Sequence, residues 1–297
     1  MPPLFSRNTI IIVSILTLLG IGLFIFISLG KKQPEELPKD LPELGIPELN
    51  RKPIGSSVGG RNIEAYTYGN GGSHLVFVGG IHGGYEWNSV ILAYQFVDYF
   101  NENIEAIPED LTITIIPSAN PDGVYDVVGK EGRFQISDIS ANKEIAGLGR
   151  FNARGVDLNR NFDCKWKPKS MWRGEVVNAG LSPFSEPEAV AIRDFILGNS
   201  PEAVIFWHSQ ANAVYASECE SGILPKTLSL MKTYSLASGY PAVESFDAYE
   251  ITGDAEGWLA SINIPAITVE LQTHETIEWE RNLAGVKALL ALYSNLD

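Results

Sequence analysis

His82 follows the apolar run His74–Val78 (HLVFV) by a glycine turn and an isoleucine, and Glu86 lies four residues further on, where a helix should begin. His208 directly follows a second apolar run, Ala203–Trp207 (AVIFW). Two imidazoles and one carboxylate delivered from different strand ends would make a three-ligand zinc site with a position open for water. Taken singly, each histidine reads as an ordinary loop or core residue. Their shared place at strand-to-loop junctions is what favours a metal. Glu270 lies inside a further run, Ala266–Leu271 (AITVEL). Burying a lone carboxylate there is costly, so it is either paired structurally or kept for proton transfer.

Arg150, Arg154 and Arg160 fall within the segment Arg150–Phe162 (RFNARGVDLNRNF), interleaved with asparagines. A planar guanidinium beside an amide suits bidentate capture of a carboxylate; the alternative is surface salt bridging. Two cysteines, Cys164 and Cys219, are too few for a cysteine-rich metal module, so any metal must rest on carboxylates and the four histidines. The two cysteines either pair, if the domain lies outside the cytoplasm, or are small buried residues.

These residues need a scaffold. His74–Val78, Leu111–Ile116, Ala203–Trp207 and Ala266–Leu271 read as buried strands. Glu86–Phe100, a segment opened by a capping box at Ser185–Glu188 and ending at Gly198, and Trp279–Tyr293 read as helices. Alternating apolar strands and helices predict an α/β fold with a mixed, mainly parallel central sheet flanked by helices, with function at the strand ends.

The chain has 297 residues and a formal net charge of −14, with 45% hydrophobic residues. It can bury a large core, and its acidic balance argues against nucleic-acid partners. Thr9–Leu29 is an uncharged run of 21 residues between Arg7 and Lys31. As a helix it would reach about 31 Å, enough to cross a bilayer. Residues 1–30 are therefore expected to be a signal anchor that leaves the rest of the chain extracytoplasmic, the alternative being a cleaved signal peptide and secretion. Residues 31–50, with Pro34, Pro38, Pro42 and Pro47, read as a stalk, and residues 51–297 as the functional domain.

From about Ile54 onward the chain resembles the zinc carboxypeptidases of the carboxypeptidase A/B-like family. The blocks IGSSVGGRNIEAYTYG, VFVGGIHGGYE, IIPSANPDGV, GRFNARGVDLNRNF, SPFSEPEA, IFWHSQ, YEITGDAEGW and ITVEL occur in the family's order and spacing. The resemblance implies one Zn2+ held by His82, Glu86 and His208, with Glu270 as the general base. It implies Arg150 as the donor to the scissile carbonyl, Asn159 and Arg160 as the clamp on the substrate's terminal carboxylate, Tyr249 as a mobile cover and Ser209 beside the substrate. Counted from Tyr249 and Trp258, Glu256 falls on the floor of the specificity pocket. With Asp254 near, it would select Lys, Arg or a diamino acid; otherwise it is a solvent-exposed loop residue.

The chain departs from the family in spacing its first two ligands H-x-x-x-E rather than H-x-x-E, which two glycines could absorb, and in carrying Tyr85 where an Arg is frequent. No long pro-domain precedes the matched blocks, so activation by proteolysis is not indicated. His274–Glu278 lacks the second histidine of H-E-x-x-H and reads as structural. Gly55–Gly59 fits G-x-S-x-G without the strand-turn-helix setting that a nucleophile needs. His74 reads as a surface residue.

The expected function is a membrane-tethered zinc carboxypeptidase acting on peptides with a free, preferentially basic C-terminus. The alternatives are a cell-wall peptidase cutting beside a diamino acid, a deacylase of small amides, and an inactive binding module.

Overall fold

The structure is a computed structural model that describes residues 50–140 and 147–294. The expected anchor and nearly all of the stalk lie outside the described residues. Among the described residues no helix is long and apolar enough to cross a membrane.

The described chain opens with an antiparallel hairpin, β1 (Arg51–Ser56) and β2 (Asn62–Gly69). It continues through β3 (Ser73–Val78), α1 (Trp87–Glu102), β4 (Leu111–Ile116) and α2 (Pro121–Val128). A small hairpin, β5 (Lys169–Trp172) and β6 (Glu175–Asn178), precedes α3 (Pro187–Asn199) and β7 (Ala203–Ser209). Next come β8 (Ala213–Ala216), β9 (Glu218–Cys219), β10 (Gly222–Ile223), α4 (Pro225–Ser238) and β11 (Ala242–Val243). The last elements are α5 (Ala255–Ser261), β12 (Ala266–Leu271) and α6 (Trp279–Tyr293).

The main sheet runs β1-β2-β4-β3-β7-β12-β8-β11. Its centre, β4-β3-β7-β12, is parallel as expected. Antiparallel pairs at β1–β2, β2–β4 and β12–β8 make the sheet as a whole mixed. The parallel strands are apolar runs because helices cover both faces. Leu75, Phe77, Ile205, Trp207, Ile267 and Val269 face α1, α4 and α6, whereas Val76, Val78, Val204 and Phe206 face α3 and α5.

That alternation also sets the chemistry. His208 shares the face of Val204 and Phe206, and the β12–β7 register puts Glu270 directly beside it. Adjacent strands lie about 4.8 Å apart, so a carboxylate and an imidazole opposite each other at the carboxyl ends are neighbours without any loop to position them.

Three local expectations are corrected. His208 does not follow its strand but lies within it, since β7 runs on to Ser209. The capping box at Ser185–Glu188 does not form: α3 has Glu186 as its N-cap with no side-chain cap bond. Glu186 and Glu188 instead accept from Asn152 at 2.9 and 3.2 Å, and Glu188 also accepts from the Val58 amide at 3.0 Å. Tertiary partners have taken both carboxylates away from the helix end. His74, expected at the surface, is partly buried, its Nε2 2.9 Å from Thr114 Oγ1. Gly55–Gly59 leads from β1 into the turn before β2, with no nucleophile elbow.

Cys164 and Cys219 form a disulfide between residues 55 positions apart. It ties the segment after Arg160 to β9 and lies on the cavity wall described next.

Candidate active site

The carboxyl ends of β3, β7 and β12 open into a cavity of about 420 Å³. His82, Glu86 and His208 each bring one donor atom to within 4.8 Å of the others, and all three are buried. The longer H-x-x-x-E spacing is absorbed by a 3-10 turn, Gly83–Glu86, capped by His82. Gly83 has φ +47°, and a Cβ there would meet the Gly149 carbonyl oxygen at 2.5 Å, so only glycine fits this turn. His82 Nδ1 is buried with no hydrogen-bond partner and stands 3.5 Å from Asp157. Burial, with the Arg150 charge next, pushes the His82 pKa well down and keeps the ring neutral, the form that binds a metal.

His208 is gripped at both nitrogens. Nδ1 lies 3.1 Å from Glu86 Oε2, and Nε2 lies 3.1 Å from Glu256 Oε1. Burial alone would lower its pKa, but Glu86 and Glu256 together raise it well above the ordinary value. Glu256 also accepts from Thr268 Oγ1 at 2.9 Å. It is therefore not an exposed loop residue. It is buried in the first turn of α5, where it lines the cavity and holds the ring of His208 in place.

Glu270 is half-buried and faces the cavity; one of its oxygens, Oε2, accepts from the Ala211 amide at 3.1 Å. Burial, with the Glu86 charge next, pushes its pKa up to about 7. Arg150 donates to Asp157 Oδ2 from both Nε (3.0 Å) and a terminal nitrogen (2.9 Å), and stands 3.9 Å from Glu86. Asn159 accepts from the Ala255 amide at 2.8 Å, which fixes it at the start of α5. Arg160 is 2% exposed and lines the cavity, yet its guanidinium reaches only the carbonyls of Asn159 (2.5 Å) and Met171 (3.2 Å). No described carboxylate pairs with it. Tyr249 also lines the cavity, edge-on to Phe246 with centroids 4.9 Å apart.

The arginine-rich segment does not act as one anion site. Arg150 and Arg160 enter the cavity, whereas Arg154 turns outward to Glu186 at 3.4 Å. Ser209 lines the cavity, with its polar atoms held by neighbouring residues. Its amide donates to Glu86 Oε2 at 3.2 Å, and its hydroxyl lies 3.0 Å from Asn88 and 2.7 Å from His274 Nδ1. It orients Glu86 rather than offering its hydroxyl to the cavity.

Sequence reasoning passed over Asp157, which lies inside a block quoted above and joins His82 to Arg150. It also set His274 aside as structural, although this ring touches Ser209 and packs edge-on to Tyr85 at 4.8 Å. The signal for Asp157 was its place between two functional arginines. For His274 there was none, because its loop reaches the site only through tertiary packing.

The His-Glu-His donor set, its burial and the orphaned His82 nitrogen fit a zinc ion. A family model described as zinc carboxypeptidase matches residues 45–279. The gamma-D-glutamyl-L-diamino acid endopeptidase 1 of Lysinibacillus sphaericus is 26% identical over 252 residues, covering 77% of this chain and 62% of that protein. Murein peptide amidase A of Escherichia coli (strain K12) is 30% identical over 143 residues, covering 44% of this chain and 55% of that protein. The chain thus spans less than two thirds of either relative. The solved structure of bovine thrombin-activatable fibrinolysis inhibitor, in complex with tick carboxypeptidase inhibitor, shares the fold. Its TM-score is 0.62 at 21% identity, covering 82% of this chain and 88% of that one. The match to the family model spans most of the sequence, and the chain belongs to the zinc carboxypeptidase family.

Proposed function

We propose that the protein is a zinc-dependent peptidase that releases a C-terminal residue bearing a free carboxylate and an amino-bearing side chain, with cell-wall peptides ending in a diamino acid as the favoured substrate. The observation that carries this reading is Arg160, a buried guanidinium in the cavity with no ion-pair partner among the described residues. A buried charge without a direct ion pair is costly, and a substrate carboxylate completes it. Asp254 and Glu256 line the same cavity, and carboxylates there suit a cationic side chain. The relative named for a bond to an L-diamino acid supports this choice.

His82, Glu86 and His208 would hold the zinc, which when bound supplies Lewis acidity to the scissile carbonyl and to water. Glu270 takes the proton from the attacking water and passes it to the departing amine nitrogen. Arg150 donates hydrogen bonds to the carbonyl oxygen as that atom gains charge. Arg160 and Asn159 fix the terminal carboxylate, so that the bond one residue away meets Glu270. Tyr249 covers the bound residue and limits water. The Cys164–Cys219 disulfide supports an oxidising, extracytoplasmic location, in keeping with an anchor at Thr9–Leu29.

A second reading, a carboxypeptidase acting on peptides that end in Lys or Arg, rests on the same clamp and the same acidic wall. An inactive binding module loses its main support, because the longer ligand spacing still brings the three donors together. The test is hydrolysis by the purified full-length chain of peptides ending in a diamino acid, Lys or Leu, each with a free or an amidated terminus. Release of the diamino acid from the free-acid peptide, faster than of Lys or Leu and absent from the amide and from Glu270→Gln, is expected. Equal cleavage of acid and amide would contradict the Arg160 clamp, and no turnover by the zinc-loaded protein would contradict the peptidase.

A further inference from the structure

Only two residues, Arg173 and Gly174, join β5 to β6, and both have positive φ, 50° and 86°. This is the pattern of a type I′ hairpin turn, whose first central position favours Asn, Asp or Gly. An arginine there is locally strained, and such strain concentrates at functional sites. The turn carries the Arg173 side chain to the rim of the active-site cavity. Its guanidinium lies 5.7 Å from the Trp172 ring centroid, and Arg173 forms no ion pair with any described residue of this acidic chain.

The rim has a direction. Arg160 touches the Met171 carbonyl, so the terminal-carboxylate clamp sits beneath β5. Arg150, the donor to the scissile carbonyl, lies 4.3 Å from the Trp172 ring and 5.9 Å from that of Tyr85. Tyr85 in turn packs edge-on to Trp172 at 5.3 Å and to His274 at 4.8 Å. The positive charge of Arg173 acts on both Tyr85 and His274. This wall adjoins Glu86 on the Nδ1 side of His208, whereas Glu256 lies on the Nε2 side. A substrate clamped at Arg160 and attacked beside Arg150 therefore extends its acyl portion toward Tyr85, Trp172 and Arg173. Tyr85 stands just before Glu86, and the hairpin brings the Arg173 cation into that neighbourhood from another element.

We infer that Arg173 reads a second carboxylate, carried by the residue whose carbonyl is attacked, so that this peptidase prefers substrates with an acidic acyl residue. A γ-linked glutamyl residue meets the requirement, because its α-carboxylate stays free. The inference rests on the peptidase reading and deepens it.

The test uses γ-D-glutamyl-L-lysine and the same dipeptide with its glutamyl α-carboxylate amidated. Binding to the zinc-loaded full-length Glu270→Gln protein is measured by calorimetry, so affinity is read without turnover. The free acid should bind about tenfold more tightly than the amide, as a charge-assisted hydrogen-bonded pair predicts. Arg173→Asn, which installs a residue the turn favours, should abolish that ratio by weakening the acid alone without lowering Tm. Arg173→Lys should keep part of it. Equal affinity for acid and amide, or a preference that survives Arg173→Asn, overturns the inference. If neither dipeptide binds while the wild type still cleaves other peptides ending in Lys, the inference falls and the peptidase reading stands. If the wild type cleaves no peptide, both fall.

Discussion

Two buried polar clusters in this molecule differ in how fully their groups are paired. At the turn between β1 and β2, Asp122 accepts from Ser57 Oγ (2.6 Å), the Gly59 amide (2.8 Å) and Arg61 (2.8 Å), while Glu186 and Glu188 share Asn152. Nearly every polar atom there has a partner, and the result clips the first hairpin to α2 and α3. In the cavity, His82 Nδ1 and His274 Nε2 have no hydrogen-bond partner, Arg160 makes no direct ion pair with a described residue, and Glu270 is pushed toward neutrality. Both clusters bury charge; the cavity pairs its carboxylates but leaves these imidazole nitrogens and the Arg160 guanidinium without such partners. A satisfied network stabilises the fold, and an unsatisfied one is arranged for something that arrives from outside.

Substitutions can break this contrast. Glu270→Gln should lower kcat by about a thousandfold, the scale of a lost general base, while leaving zinc affinity and Tm nearly unchanged. Parallel kinetics and calorimetry would check it, and an active variant would remove Glu270 from the chemistry. Reduction of Cys164–Cys219 should cost roughly 4 kcal/mol, on the loop-entropy scale for a bridge of this span. Urea unfolding with and without reductant measures that cost.

Asp122→Ala should destabilise by about 3 kcal/mol, because it strands Ser57, the Gly59 amide and Arg61 together. At temperatures where the variant is folded, kcat/KM should match wild type. Arg160→Met should do the reverse: stability should change by no more than about 1 kcal/mol, while KM for a free-acid peptide rises at least about tenfold. An Arg160→Met protein that is strongly destabilised would place Arg160 with the structural group.

The smallest effect concerns pH. The Ser57, Gly59 and Arg61 contacts outweigh burial and hold the Asp122 pKa below the ordinary aspartate value. Its contribution is thus fully present above the unfolded aspartate pKa, near 4, and is lost as pH falls through the folded value. Between about pH 4 and pH 2, wild type should lose more unfolding free energy than Asp122→Asn. Parallel slopes would show that Asp122 carries no such linkage.

The sequence showed the centre of this architecture more clearly than its margins. β3, β4, β7 and β12 are covered on both faces and therefore read as largely apolar runs, with His208 and Glu270 near the carboxyl ends of β7 and β12 and His82 shortly after β3. The β1–β2 hairpin is partly exposed and mixes polar with apolar residues, and β8 is apolar but only four residues long, so no run marks them. The β5–β6 hairpin was hidden for another reason, since its turn holds Arg-Gly where Asn-Gly would have announced it. Glu256 was legible as a cavity residue but not as the partner of His208, because that bond joins α5 to β7 across the fold. Ser185 and Glu188 formed a helix-start pattern, yet Asn152 and Val58 outcompeted the helix end for Glu188. Local patterns failed where a long-range partner was stronger.

The most direct measurement is zinc binding by the purified full-length chain, compared with His82→Ala, His208→Ala and Glu270→Gln. One zinc per chain in the wild type and in Glu270→Gln, with affinity lost in both histidine variants, is the expected result. Zinc that stays bound without His82 and His208, or no zinc at all in the wild type, would contradict the claim that the unsatisfied group in the cavity is a metal site.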